Sequence, residues 1–199
     1  MNVNKAYYCH PQALVETNCI GAQTKIWAFV HILPNAVIGE NCNVCDHCFI
    51  EGDVRIGDNV TLKCGVYLWD GITLENNVFV GPNVVFTNDL RPRSKNTNYV
   101  SQKTLIQQGA SLGANATILG GITVGQYAMI GIGAVVTRSV LNHALVYGNP
   151  ARQHGWVDEH GNKLSKVPSQ EGRWMSSESG FVYKETVLGL EVECNLSSE

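Results

Sequence analysis

An aliphatic or aromatic residue at every sixth position constrains this chain more than any other feature. Steps of six from Leu14 land on Ile20, Ile26, Ile32, Ile38, Val44, Ile50, Ile56, Leu62, Leu68, Leu74, Val80 and Phe86, with no polar side chain among them. The series resumes at Ile106 and runs through Leu112, Ile118, Val124, Ile130 and Val136, giving nineteen hexads in blocks of thirteen and six. Pattern counting leaves chance a negligible share in a series of this length. Side chains repeat about every 3.6 residues in a helix and every two in a strand, so neither element alone carries a period of six. A three-sided coil does. Three hexads make one turn, turns stack as parallel strands about 4.8 Å apart, and residues 18 apart become vertical neighbours.

A second column, four residues on, is small or β-branched: Ala36, Cys42, Cys48, Val54, Val60, Val66, Ile72, Val78 and Val84. Both columns should point inward. Glycine often follows the aliphatic position, as at Gly21, Gly39, Gly57, Gly81, Gly113, Gly125 and Gly131, where a tight corner tolerates little else. Residues 87–105 interrupt the series, and about fourteen of them must loop out; long loops in compact domains are usually functional. The hexads stop near Asn142. The chain therefore divides into an all-β coil over 8–141, carrying the 87–105 loop, and a tail of short hairpins over 142–199 that caps the coil's exposed last strand edge.

With a net charge of -3 and 16% charged residues, the chain has no basic excess to neutralise a polyphosphate, so nucleic acid is not an expected partner. No apolar run has the length of a membrane span and the first residues lack a secretory stretch, so the expectation is a soluble, cytoplasmic protein with no membrane partner. Seven cysteines without framework spacing fit free thiols. Cys42, Cys45 and Cys48 beside His47 imitate a metal-ligand run. Their register assigns Cys42 and Cys48 to the inward column and Cys45 to a corner, which is packing, and no metal is expected.

Chemistry is best sought where the coil breaks its own pattern. Asp70 and Asn88 are 18 apart, each two residues past an aliphatic anchor, so they should stack at one corner with Trp69 and Thr87 beside them. On the same count Gly71 lies under Asp89, and Gly120 and Gly121 lie above Asn88 and Asp89, leaving space. A carboxylate and an amide beside a gap, at the root of a long loop, suit the binding and deprotonation of an amine. Asp and Asn also satisfy turn amides at corners, which is the ordinary alternative for each. Arg91 and Arg93, in the loop, could hold a diphosphate or stand solvated. His31 could contact substrate or be a turn residue. No histidine lies between Gly52 and Asn142, which counts against zinc chemistry needing three imidazoles and against a histidine-base O-acetyltransferase.

The hexads, Ile26–Ile32 (Ile-Trp-Ala-Phe-Val-His-Ile), Gly81–Asp89 (Gly-Pro-Asn-Val-Val-Phe-Thr-Asn-Asp), Pro92-Arg93-Ser94 and Gly148–Gln153 (Gly-Asn-Pro-Ala-Arg-Gln) together resemble hexapeptide-repeat N-acyltransferases of nucleotide-linked 3-amino sugars. The resemblance covers about residues 8 to 160. It implies a left-handed parallel β-helix and a homotrimer with active sites between adjacent coils. It also implies acetyl-CoA or another acyl-CoA along the coil, and a nucleotide-linked amino sugar, dTDP in preference to UDP, as acceptor for surface-glycan synthesis. On this similarity Asn88 matches the active-site asparagine, with Asp70 and Asp89 beside the amine. His31, Trp69, Arg91 and Arg93 fall to the sugar nucleotide, and Gly113, Gly131, Ala134, Arg138 and Arg152 to CoA. Ala28, where relatives often carry His, and Gly131-Ile132-Gly133, where many have Ala between the glycines, depart from the pattern. A CoA-dependent O-acetyltransferase and a non-catalytic scaffold are the competing expectations.

Overall fold

The computed structural model describes residues 6–96 and 98–195; residues 1–5, Thr97 of the interrupting loop and 196–199 of the tail lie outside it. Three parallel sheets of mostly two-residue strands form the three sides of a left-handed β-helix. The first side climbs from Tyr8–Cys9 through Lys25–Ile26, Asn43–Val44 and Thr61–Leu62 to Ala144–Gly148, where Ala151–Trp156 turns back antiparallel. The second runs from Leu14–Val15 through His31–Ile32, Phe49–Ile50, Tyr67–Leu68, Val85–Phe86 and Thr117–Ile118 to Val135–Val136. The third runs from Val37–Ile38 to Thr123–Val124.

Stacked partners are 18 apart, as in Ile32 with Ile50 and Ile50 with Leu68. The aliphatic column and the small column both face inward: Ile50, Leu68, Val54 and Val66 have no exposed surface, and Cys42 and Cys48 are buried among them. From Ile26 to Val84, and again from Ile106 to Val140, each hexad therefore contributes two apolar side chains to one continuous core, and removing that surface from water is the main force that winds the chain. Pairing of Ile72 with Thr104 and Leu74 with Ile106 absorbs the fourteen extra residues, so the loop leaves the coil without disturbing its register.

The corners divide their demands. Asn41, Asn59 and Asn77 hold positive φ of 53°, 57° and 61°, the left-handed region that Asn tolerates, and Asn41 Nδ2 donates to Asn59 Oδ1 at 2.8 Å. Gly39 answers a different need, because a Cβ there would stand 2.3 Å from Asp58 Oδ1 and 2.6 Å from Gly57 C in the next turn. The glycines that follow the aliphatic column thus serve close approach between coils.

One expectation fails at the bottom turn. Leu14, the first step of the series, pairs with His31 at a spacing of 17 and is 56% exposed, while Val15 takes the inward place opposite Ile32. The first turn is one residue short, and a one-residue slip reverses which side chain faces the core.

At the other end, an antiparallel sheet of Ser165–Lys166, Arg173–Met175, Phe181–Thr186 and Gly189–Asn195 docks on the last turn. Asn142 N donates to Leu188 O at 2.8 Å, and Leu190 N to Asn142 O at 3.2 Å. His143 is buried between Tyr127 and Tyr183, with Nδ1 donating to Val157 O at 3.0 Å. Ala144–Gly148, within the segment read as tail, hydrogen-bonds in parallel to Met129–Ile130 and extends the first side of the coil.

Candidate active site

One corner, where the second side turns towards the third, collects most of the residues with chemical potential. Tyr67 pairs with Val85, Phe86 with Ile118, and Ile118 with Val136. Counting two residues on from each inward anchor gives a vertical line of Asp70, Asn88, Gly120 and Arg138. At about 4.8 Å per turn, Arg138 stands roughly 10 Å above Asn88, with Gly120 between them. The space expected above Asn88 is not there: a Cβ on Gly120 would lie 2.6 Å from Thr87 O and 3.1 Å from Asn88 Cα, and one on Gly121 3.1 Å from Gln102 Oε1, so these glycines serve close approach of the turns. The Gly120 N–H donates to Thr87 Oγ1 at 3.0 Å.

Asn88 and Asp70 adjoin, and it is the backbone of Asp70 that meets the amide. Asn88 Nδ2 donates to Asp70 O at 3.3 Å, and Ser101 Oγ donates to the same carbonyl at 3.0 Å. The Asp70 carboxylate turns down the coil and accepts the Asp53 N–H at 2.7 Å, while the Asp70 N–H goes to Glu51 Oε2. Asp70 thus fills the ordinary corner role. Fixing Nδ2 directs the Asn88 carboxamide oxygen elsewhere, and that oxygen has no partner among the described residues.

The loop shifts two of the expected neighbours. Asp89 does not lie over Gly71; Ser101 and Gln102, on the returning limb, do, at 3.2 and 3.0 Å from a Cβ placed on Gly71. Gln102 N donates to Asn88 O at 2.8 Å, so the root of the loop is sewn to the candidate asparagine. Gly121 likewise faces Gln102. The fourteen added residues return the chain through this space, which spacing alone did not reveal. Asp89 Oδ1 accepts the Arg91 N–H at 2.8 Å, and both residues line a 390 Å³ cleft with Asn96, Tyr99 and Gln102. Arg93 is exposed, with Nη1 donating to Pro92 O.

Arg138 and Arg152 come together. They line a 240 Å³ groove with Val136, Val140, Leu141 and Val146, a mixture of cations and apolar surface suited to a phosphorylated ligand with an apolar arm. Gly113 and Gly131 have a packing explanation, since a Cβ would meet Ile132 N at 2.6 Å and Tyr147 Cβ at 2.6 Å respectively. Ala134 is fully buried, its N–H donating to Gly131 O and its carbonyl accepting from Thr117 N, so its side chain belongs to the core.

Below the corner, the second side is aromatic. Trp69 Nε1 donates to Phe86 O at 2.9 Å, and the ring centroid lies 6.1 Å from Tyr67 and 5.8 Å from Phe49. His31 meets the edge of Phe49 at 5.5 Å and its Nε2 lies 2.8 Å from Glu16 Oε1. Phe49 and Tyr67 escaped attention in the sequence, although both occupy the outward position before an anchor, 18 apart and in line with His31.

Comparison with known proteins agrees with this architecture. The bacterial transferase hexapeptide model (six repeats) matches residues 20–52 and 53–88, and the hexapeptide repeat of succinyl-transferase matches 105–138, with the loop between them. The chain is 57% identical over 163 residues to the dTDP-3-amino-3,6-dideoxy-alpha-D-galactopyranose 3-N-acetyltransferase of Aneurinibacillus thermoaerophilus, covering 82% of this chain and 85% of that one. It is 31% identical to serine acetyltransferase 4 of Arabidopsis thaliana over 79% of this chain and 38% of that one. A hexapeptide-repeat acetyltransferase of Vibrio cholerae O1 biovar eltor, complexed with acetyl-CoA, shares the fold at a TM-score of 0.54 and 23% identity, covering 73% of each chain. With its coil, its corner glycines and these matches taken together, the chain belongs to the hexapeptide-repeat acyltransferase family.

Proposed function

We propose that the protein transfers an acetyl group from acetyl-CoA to the 3-amino group of a dTDP-linked 3-amino-3,6-dideoxyhexose. The observation that carries the reading is the 57% identity to an enzyme of that activity over four-fifths of the chain. The corner geometry supports it, because an amide oxygen free for a substrate and a cationic groove stand on one line up the coil.

Arg138 and Arg152 hold the phosphates of CoA, and Val136, Val140 and Leu141 face its apolar arm. Asn88 accepts a hydrogen bond from the sugar amine through Oδ1 and aims the nitrogen lone pair towards the thioester. Acetyl-CoA supplies an activated thioester and, in its departing thiolate, an acceptor for the amine proton. Asp70 and Asp89 contribute negative potential near the amine. Arg91 and Arg93 approach the diphosphate from the loop. A homotrimer places a neighbouring coil against this open corner, and the reading assigns the reaction to the cytoplasm and to surface-glycan synthesis.

The test is thiol release from acetyl-CoA on adding dTDP-3-amino-3,6-dideoxygalactose, with serine as the competing acceptor. Release with the amino sugar alone supports the reading. Release with serine alone favours an O-acetyltransferase, and no CoA binding by calorimetry favours a scaffold.

A further inference from the structure

We propose that Cys45 and Cys64 form a dithiol modification site, at which a hydroperoxide converts the two thiols to a disulfide that joins successive turns of the coil. The site lies at the corner between the first and second sides, apart from the corner of Asn88, and does not depend on the acyltransferase reading.

The coil itself brings the two side chains together. Asn43 pairs with Thr61 and Val44 with Leu62, and the Cys45 N–H continues the ladder by donating to Leu62 O at 2.9 Å. Cys45 therefore stands one residue past its inward anchor, Val44, and Cys64 stands two residues past Leu62 in the turn above. Side chains at these two positions meet wherever the coil repeats them. A Cβ on Gly39 would run into Asp58 Oδ1 and one on Gly57 into Asn76 Oδ1, while Glu51 Oε2 accepts the Asp70 N–H at 2.6 Å across the same spacing. Between Cys45 and Cys64 the contact is a hydrogen bond of one thiol with the other. With turns about 4.8 Å apart and successive Cα atoms about 3.8 Å apart, the two Cα atoms stand roughly 6 Å from each other, within the span that a disulfide bridges.

The two thiols differ as the chemistry requires. Cys64 is exposed and open to a small oxidant, whereas Cys45 is half-buried and its Sγ is held by Asn43 Nδ2, which donates to it at 3.3 Å. Burial, and then the charge of a Cys64 thiolate, push the Cys45 thiol above its ordinary 9.0, so Cys45 keeps its proton. A third sulfur nearby, Cys48, stays out of the exchange: it is buried, its Sγ donates to Lys63 O at 3.3 Å, and burial pushes its thiol up to about 12. The Cys64 thiolate attacks the peroxide, the O–O bond breaks, and sulfenic acid and hydroxide result. The Cys45 sulfur then displaces the sulfenic oxygen, the S–S bond forms, and the departing hydroxide leaves as water with the Cys45 proton. Two thiols and one hydrogen peroxide give one disulfide and two waters; the sulfurs lose the two electrons that the peroxide oxygens gain. The link closes residues 45–64 into a ring, which restricts the unfolded chain and stabilises the coil.

Mild hydrogen peroxide treatment of the full chain, followed by thiol titration, intact mass, peptide mapping and a thermal melt, tests the proposal. The treated protein should lose two titratable thiols and two hydrogens in mass, yield a Cys45–Cys64 linked peptide, and melt several degrees higher, with dithiothreitol reversing all of it. Cys64→Ser should abolish the mass change and the gain in Tm, and Cys45→Ser should leave Cys64 as a sulfenic acid that dimedone traps. Thiols that all remain titratable, a link between any other pair of cysteines, a linked chain that melts lower, or a covalent dimer through Cys64 seen as a doubled mass would each overturn it.

Discussion

Asn88 is the residue on which the chemistry turns, because its amide nitrogen is committed to the Asp70 carbonyl and its oxygen is left for a substrate. Replacing Asn88 with Ala should lower kcat/KM for the amino sugar by about ten- to a hundredfold, the usual loss for a hydrogen bond to a polar group in a desolvated site, with the KM of acetyl-CoA unchanged. Arg152→Ala should do the reverse, raising the KM of acetyl-CoA roughly tenfold and leaving that of the amino sugar alone. Initial-rate measurements with each substrate varied separate the two. Gly39 tests packing at the same scale. A Cβ there meets the next turn's backbone, so Gly39→Ala should cost about 1–3 kcal/mol and lower Tm by several degrees in a thermal melt.

At the scale of the element, the docking of the C-terminal sheet depends on a neutral histidine. Burial pushes the pKa of His143 below its ordinary 6.5, against the opposing pull of the Val157 carbonyl and the Glu159 and Asp158 charges. The unfolded chain takes up a proton as pH falls through 6.5 and the folded one resists it, so stability is full above 6.5 and declines as pH falls from there towards the depressed value. Asp158 acts in a lower window. Burial would raise its carboxyl, yet the hydrogen bonds from Ser176, Asn162 and His160 hold it below its ordinary 3.8. Fluorescence of Trp156 and Trp174, which face each other at 6.4 Å, should therefore report loss of the cap at a lower temperature at about pH 5.5 than at pH 7.5. His143→Asn, which suits the positive φ at that position, should flatten the difference.

For the whole molecule, the legible part of the fold was whatever the period of six controls. The inward columns, the stacking of Asp70 with Asn88 and the position of Gly120 above them all follow from counting, because a solenoid turns sequence separation into spatial distance. Counting failed where the coil adds or loses residues. Leu14 faces out because the first turn is one short, and Ser101 and Gln102 replace Asp89 over Gly71 because the loop returns through that space. The direction of the Asp70 carboxylate was also hidden, since a side chain's partner one turn down depends on rotamer and not on register. The aromatic column was visible at 31, 49 and 67 but lay in the outward set, which packing does not explain and only a ligand or a partner chain can. All these features meet in one claim, that the coil brings the amine to Asn88 and the thioester to the same corner one turn above it. A crystal structure with CoA and the dTDP-amino sugar bound together tests it most directly. The account predicts the sugar's 3-amino nitrogen within hydrogen-bond distance of Asn88 Oδ1, with the CoA sulfur facing it across Gly120 and the CoA phosphates at Arg138 and Arg152. A sulfur placed at either of the other two corners, or an amine turned away from Asn88, would contradict it.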